Sequence, residues 1–226
     1  MSSFFFAKVD NDMAHFDAHE VRHIKVLRYS KGSEIKFTDG RGSLYVGKLL
    51  SLDTAKILKK ERFQPPNRIS ISVVLSPVRW ERTRFALEKA VELGADRLYF
   101  MNMLRTTRKE TESKLTKMKL IVRDAMKQCG TLYLPEVKNI QGEFPHISTN
   151  ATKLMLDTKS ERTFKDIEIS PNIILAIGPE GGFSEKEREF FRIKKFESVK
   201  IGNRTLRTET AVIAALTLIN YLLGIF

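Results

Sequence analysis

Beyond residue 68, short apolar runs alternate with longer stretches in which apolar residues recur every three or four positions. Compact apolar runs bounded by turn signals predict buried strands at 69–75, 98–101, 153–156, 172–177 and 198–201. The three-to-four spacing predicts helices between them. One spans 81–93 before Gly94, one spans 113–128 before Gly130, one opens at Ser184, and one runs from about 208 to 223 before Gly224. Ser184 followed three residues later by Glu187 is a capping box, in which each side chain satisfies the other's backbone N–H. Strands alternating with helices predict a mostly parallel sheet with helices on both faces, an α/β domain. In the last helix Ala211, Ala214, Ala215, Leu218, Ile219 and Leu222 form the expected apolar face, and Thr208 or Thr210 is the expected cap.

The first 64 residues have a different texture. Strand patterns at 4–9, 34–38, 44–52 and 56–63 surround one short helical pattern at 17–27, with Val21, Ile24 and Leu27 on one face. Asp39-Gly40-Arg41-Gly42 is a hairpin signal, because Asp-Gly supplies the positive φ of a tight turn. Gln64-Pro65-Pro66-Asn67 then removes ladder donors and forbids helix, so the expected organisation is a small β-rich domain at 1–66 and an α/β domain at 67–226.

Charge adds a partner. The 226 residues carry 39 basic and 27 acidic side chains, a net +12, which suits a polyanion such as nucleic acid. Residues 1–66 hold 12 basic against 8 acidic side chains, so the excess is spread over folded surfaces rather than gathered in a tail. Arg22, His23, Lys25 and Arg28 cluster on or just after the first helical pattern, either as a solvated face or as a phosphate-contacting edge. Cys129 is the single cysteine, which excludes an internal disulfide, and no apolar run approaches the roughly 20 residues of a membrane helix. No charged segment precedes an apolar one at the amino terminus, and the cytoplasm is the expected compartment.

Two strand–turn–helix units near the carboxyl end concentrate the candidate chemistry. The first turn is Gly178-Pro179-Glu180-Gly181-Gly182; the second contains Gly202, Arg204, Leu206, Arg207, Thr208 and Glu209. In open α/β sheets ligands collect at the carboxyl ends of strands, where such turns lie side by side. No phosphate-binding Gly-x-x-x-x-Gly-Lys or dinucleotide Gly-x-Gly-x-x-Gly pattern occurs, and Glu180 stands where a phosphate cradle needs donors. The four histidines, at 15, 19, 23 and 146, lack metal-ligand spacing, so no metal is expected. A neutral or cationic ligand held by main-chain atoms remains, and S-adenosylmethionine is such a ligand.

The pairing of Gly178-Pro179-Glu180-Gly181-Gly182 with Leu206-Arg207-Thr208-Glu209-Thr210-Ala211 resembles the RsmE family of 16S ribosomal RNA methyltransferases, in the SPOUT superfamily. Val26-Leu27-Arg28, Gly32 and the Asp39–Gly42 hairpin match its PUA-like β-barrel, and Lys89, Glu92-Leu93-Gly94, Arg105, Gln128-Cys129-Gly130 and Pro135-Glu136 match its catalytic-domain motifs. The resemblance implies a trefoil-knotted α/β methyltransferase domain preceded by a PUA-like barrel and working as a homodimer. It also implies methylation at N3 of a uridine in 16S rRNA, free or in the 30S subunit, with S-adenosylmethionine as donor. Carried over by position, the cofactor would be lined by Leu156, Gly178, Glu180, Gly181, Gly182, Ile201, Gly202, Leu206 and Thr208. The sequence departs from the family at Thr131, where an arginine is common, at Lys127, where an acid is common, and at Ser2 and Ser3, where a basic residue is often found.

An N3 methylation has to disperse the charge left when the imide proton departs, and Arg207 and Arg105 are the candidate cations. Glu209 or Glu180 is the candidate proton acceptor, each with turn or helix capping as its alternative role. RNA contacts are expected from Arg22, His23, Lys25, Arg28 and Arg204. Two other readings stay open: a non-catalytic ribosome-binding factor, and a methyltransferase acting on another rRNA or tRNA position.

Overall fold

A computed structural model of the chain describes residues 4–63, 69–106, 112–144 and 150–225. The Gln64–Asn67 linker, the expected boundary after residue 66, Ser2, Ser3 and His146 lie outside the described residues. By contact the chain divides into two compact units, one comprising 1–67 with 126–134 and the other 68–125 with 135–226.

The first unit is built on a six-stranded sheet. Its strands are β1 (Phe5–Phe6), β2 (Lys8–Asp10), β3 (Met13–His15), β4 (Glu34–Thr38), β5 (Ser43–Leu49) and β6 (Thr54–Arg62), in the order β1-β4-β5-β6-β3-β2. The apolar run at 4–9, expected as one strand, is two short ones. Ala7 donates to Thr38 O at 2.9 Å at the break, and β2 then pairs with β3 instead of β4. Helix α1 (Ala18–Val26) begins where Asp17 accepts from the backbone N–H groups of His19 and Glu20, both at 3.0 Å. Its buried face is centred on Ile24, which joins Phe5, Phe16, Phe37 and Tyr45 in an aromatic core. The helix ends with Val26 and Leu27 facing solvent. The Asp39–Gly42 hairpin forms with Gly40 and Gly42 in the left-handed region, at φ 72° and 87°. A Cβ on Gly42 would overlap the Tyr133 hydroxyl, which donates to Phe63 O at 2.7 Å. Lys127, in the same unit, forms a buried ion pair with Glu20 at 2.7 Å, and this partner accounts for a lysine at that position. Thr131 accepts from the Tyr133 N–H at 3.5 Å.

The second unit has a wholly parallel sheet. Its strands are β7 (Ser70–Leu75), β8 (Arg97–Met101), β9 (Glu136–Ile140), β10 (Thr152–Leu156), β11 (Asn172–Ile177) and β12 (Glu197–Val199), in the order β12-β10-β11-β7-β8-β9. Its helices are α2 (Trp80–Glu92), α3 (Glu112–Cys129, whose last turn belongs to the first unit), α4 (Glu185–Ile193) and α5 (Thr208–Leu222). Strands β7, in which Ser72 is buried among apolar residues, and β11 are buried along nearly their whole length, as a sheet covered on both faces requires. Strand β9 carries only Val137 and Ile140 inward and has no continuous apolar run, so periodicity does not reveal it. One core cluster joins Val74, Tyr99, Ile174 and Met155 to Phe183, Phe191 and Phe196.

Helix α5 departs from the expected face. Its buried residues are Thr208, Ala211, Val212, Ala215, Leu216, Ile219 and Asn220, whereas Leu222 is exposed. Asn220 turns inward because its amide donates to Leu93 O at the end of α2, at 2.9 Å. Neither threonine caps the helix. Arg207 occupies the N-cap position without a side-chain cap bond, and Thr208 is already the first helical residue.

Candidate functional site

Three neighbouring strands, β12, β10 and β11, end side by side, and their carboxyl ends frame a cavity of about 230 Å³. Leu156, Ile177 and Val199 close the strands, and the loops that follow supply the remaining walls. Parallel strands put these ends on one edge of the sheet, so the local order strand–turn–helix, used twice, becomes one concave site.

The first wall is the turn between β11 and α4. Gly182 donates to Pro179 O at 2.8 Å and sits at φ 67°, a conformation that a side chain would strain. Gly178 is needed for a different reason: a Cβ there would lie 3.1 Å from the Phe183 ring, which is buried against Phe191 with centroids 5.3 Å apart. The turn ends at the Ser184–Glu187 capping box, formed as expected. Glu187 does a second job with its other oxygen, accepting from Leu104 N at 2.6 Å. Arg105 in the same loop donates from Nη1 to Gly181 O at 2.6 Å. The loop after β8 is thereby fastened to the glycine turn and to the first turn of α4, and Arg105 becomes part of the cavity lining.

The second wall follows β10. Asp157 is buried, receives Arg188 Nε at 2.5 Å and Nη2 at 3.2 Å, and accepts from Lys159 N at 3.1 Å. Burial pushes this carboxyl up, but the Arg188 hydrogen bonds, the Lys159 amide and the two positive charges together hold it below the usual carboxylate range. Glu185 accepts from both Arg188, at 2.7 Å, and Lys159, at 3.2 Å, completing a charge cluster along this edge. The third wall is the loop 200–206 between β12 and α5, with Arg204 at its exposed tip.

Leu156, Gly178, Glu180, Gly181, Gly182, Ile201, Gly202, Leu206 and Thr208 all line the cavity, together with Arg105 and Arg204. Arg207 and Glu209 do not. Arg207 is exposed at the start of α5, and Glu209 lies half-buried in its first turn. In the first unit Arg22, Lys25 and Arg28 are exposed, while His23 is half-buried and packs edge-on against Phe5 at 5.3 Å.

Sequence reasoning missed Asp157, Lys159, Arg188 and Arg82. Arg82 in α2 pairs with Glu180 and lies 3.8 Å from Glu209, residues that are distant in sequence and bear no local signal of the pairing.

The lining has main-chain turns with two acids, Asp157 and Glu180, each paired with an arginine, and five basic residues, Arg105, Lys159, Arg188, Lys200 and Arg204. Such turns present backbone amides and carbonyls to the edges of a ligand, with charged side chains of both signs around them. Comparison with known proteins identifies the lineage. The model of an RNA methyltransferase domain matches residues 65–220, and that of an RNA methyltransferase PUA domain matches residues 16–61. The chain belongs to the RsmE family of RNA methyltransferases. The ribosomal RNA small subunit methyltransferase E of Buchnera aphidicola is 30% identical, the match covering 88% of this chain and 86% of the relative. Two solved structures share the RsmE architecture. The ribosomal RNA small subunit methyltransferase E of Neisseria gonorrhoeae, bound to S-adenosyl methionine, is 26% identical with TM-score 0.85 over 98% of each chain. A predicted RNA methyltransferase of Thermotoga maritima is 35% identical with TM-score 0.79, again over 98% of each. The second unit therefore has the SPOUT methyltransferase fold and the first is PUA-like. Among the described residues no helix is long and apolar enough to cross a membrane.

Proposed function

We propose that this RsmE-family chain uses S-adenosylmethionine to methylate N3 of a uridine in 16S ribosomal RNA, with residues 1–66 as an RNA-binding domain and 67–226 as the catalytic domain. The observation that carries the reading is the cavity framed by two glycine-containing turns at the ends of β10, β11 and β12, lined by main chain and by charged residues of both signs. When bound, the cofactor supplies an electrophilic methyl carbon on a sulfonium sulfur. Leu156, Ile201, Gly202, Leu206 and the turn from Gly178 to Gly182 would hold it there, aligning the methyl group with the acceptor.

The chain's own side chains then manage one proton and one developing charge. Uridine N3 carries an imide proton that leaves as the new N–C bond forms, and the flanking carbonyl oxygens take up the negative charge. Arg105 is tied to Gly181 O through one of its five N–H donors, and the rest of its planar fork is suited to those oxygens. Arg207 adds a second cation beside the first amides of α5, whose dipole has the same sign. Glu209 takes the proton: its Oε2 is buried and, among the described residues, has no hydrogen-bond partner. Because N3 is hidden in a base pair, the target nucleotide must be unpaired or flipped out. Arg204 at the cavity, and Arg22, His23, Lys25 and Arg28 on the first unit, contact the RNA backbone.

The same reading includes a trefoil-knotted chain path and a homodimer. Exposed Tyr221, Leu222 and Ile225 after and within the last turn of α5 offer apolar surface for a second copy, which light scattering would measure. The test of the activity is incubation with methyl-labelled S-adenosylmethionine and small subunits from a strain lacking the modification, followed by nucleoside mass spectrometry. Labelled 3-methyluridine is expected. A methyl group on a ribose or another base would replace the proposed target, and a protein that binds the subunit without transferring methyl would be a non-catalytic factor.

A further inference from the structure

We propose that Arg82 is a positioning residue that, anchored on Glu180, orients the Glu209 carboxylate. The inference rests on the methyltransferase reading above. Arg82 stands in the first turn of α2, outside both turns, yet its guanidinium meets an acid from each. Nη1 donates to Glu180 Oε1 in the glycine turn, and Nε lies 3.8 Å from Glu209 Oε1 at the start of α5.

Three features distinguish this from an ordinary surface pair. Two of the three side chains are shielded, that of Arg82 being 25% exposed and that of Glu209 13%, while Glu180 at the rim is 48% exposed. Screening by water is correspondingly weaker than for the exposed pairs on this chain, such as Arg192 with Glu189. The guanidinium is a rigid planar fork, so fixing one edge on Glu180 also fixes the direction of the other. Finally, Arg82 faces one oxygen of Glu209 while the second, Oε2, is buried with no hydrogen-bond partner among the described residues. A carboxylate with one oxygen beside a fixed cation is oriented, and its second oxygen carries no competing hydrogen bond among the described residues. Arg105 fastens the same glycine turn through Gly181 O, next to Glu180, which holds Arg82.

The experiment combines Arg82→Met, Arg82→Lys, Glu209→Gln and the Arg82→Met/Glu209→Gln double variant in the full chain. Single-turnover methyl incorporation into small-subunit RNA is read whatever base receives it, alongside S-adenosylhomocysteine affinity by calorimetry. A wrong target base would therefore defeat the uridine-N3 reading without touching the arginine. Misplacing a reacting group by about 1 Å can cost ~10²-fold in rate. Arg82→Met should lose about that factor while S-adenosylhomocysteine affinity stays within ~3-fold, which also reports an intact fold, and Arg82→Lys should regain roughly tenfold. In the Glu209→Gln background the same Arg82→Met change should alter the rate less than ~2-fold, because the group it orients is already lost. An Arg82→Met rate equal to wild type overturns the proposal. So does a rate loss matched by lost cofactor affinity, or one that multiplies fully with Glu209→Gln; either marks a merely structural arginine. Wild-type protein inert on RNA would overturn the positioning role and the proposed activity together.

Discussion

Replacing Gly178 with alanine tests whether the shape of the glycine turn is set by packing beneath it. The φ of Gly178 is one any residue adopts, so the perturbation is purely steric. The new methyl would meet three atoms of the Phe183 ring at 3.1–3.2 Å. That ring is 1% exposed and packed edge-on to Phe191, itself fully buried and in contact with Phe196, so no free rotamer relieves the overlap. Overpacking of this kind costs ~1–3 kcal/mol. For a chain of this length that is a fall in Tm of roughly 2–12 °C without ligand. If the strain is instead relieved by pushing the turn into the cavity, the same energy weakens cofactor affinity by about 5- to 150-fold. Gly202→Ala is the matched control. It also lines the cavity, but nothing of the protein lies within 4 Å of its would-be Cβ. Its Tm without ligand should equal wild type while S-adenosylhomocysteine affinity falls, because the methyl occupies ligand space. Differential scanning calorimetry and titration calorimetry read both quantities. Gly178→Ala with neither Tm nor affinity changed, or Gly202→Ala with unchanged affinity, would refute the reasoning.

Arg207→Ala should reduce methyl transfer by ~10²–10³-fold and leave S-adenosylhomocysteine affinity near wild type, since Arg207 does not line the cavity; near-normal turnover would remove it from the chemistry. Lys127→Ala leaves Glu20 buried without its 2.7 Å partner and should cost ~3–5 kcal/mol in urea unfolding, whereas the Glu20→Leu/Lys127→Met double replacement should fall much closer to wild type. Asp157 is held below the usual carboxylate range in the folded chain, so its contribution to stability is present above its unfolded pKa of about 4 and is lost as pH falls through the folded value. The stability gap between wild type and Asp157→Asn should accordingly narrow on going from pH 7 to pH 3; a constant gap would contradict the Asp157–Arg188 assignment.

The legible parts of this sequence were those governed by local rules. Ser184 and Glu187 are three residues apart and cap one helix, and Gly40 and Gly42 answer to one hairpin. The short apolar stretches of β7 and β11, bounded by turn residues and too short for helices, announce buried strands. The two turns of the site were visible for the same reason, and the parallel sheet brings them together. Strand β9 was hidden because it carries only two inward residues, and β3 because it is three residues long. The face of α5 was misread because Asn220, a polar residue, is drawn inward by a carbonyl on another helix. The charge network of the site was hidden for a stronger reason. Asp157 with Arg188, and Arg82 with Glu180, are pairs made by tertiary folding, and each residue alone reads as one more charge on a basic chain.

The most direct measurement is a crystal structure of the protein grown with S-adenosylhomocysteine. The ligand is expected between the 178–182 turn and the 200–206 loop, contacted mainly by main-chain atoms, with its sulfur facing the side of the cavity lined by Arg105. Those turns without ligand while it binds elsewhere on the chain would contradict this placement.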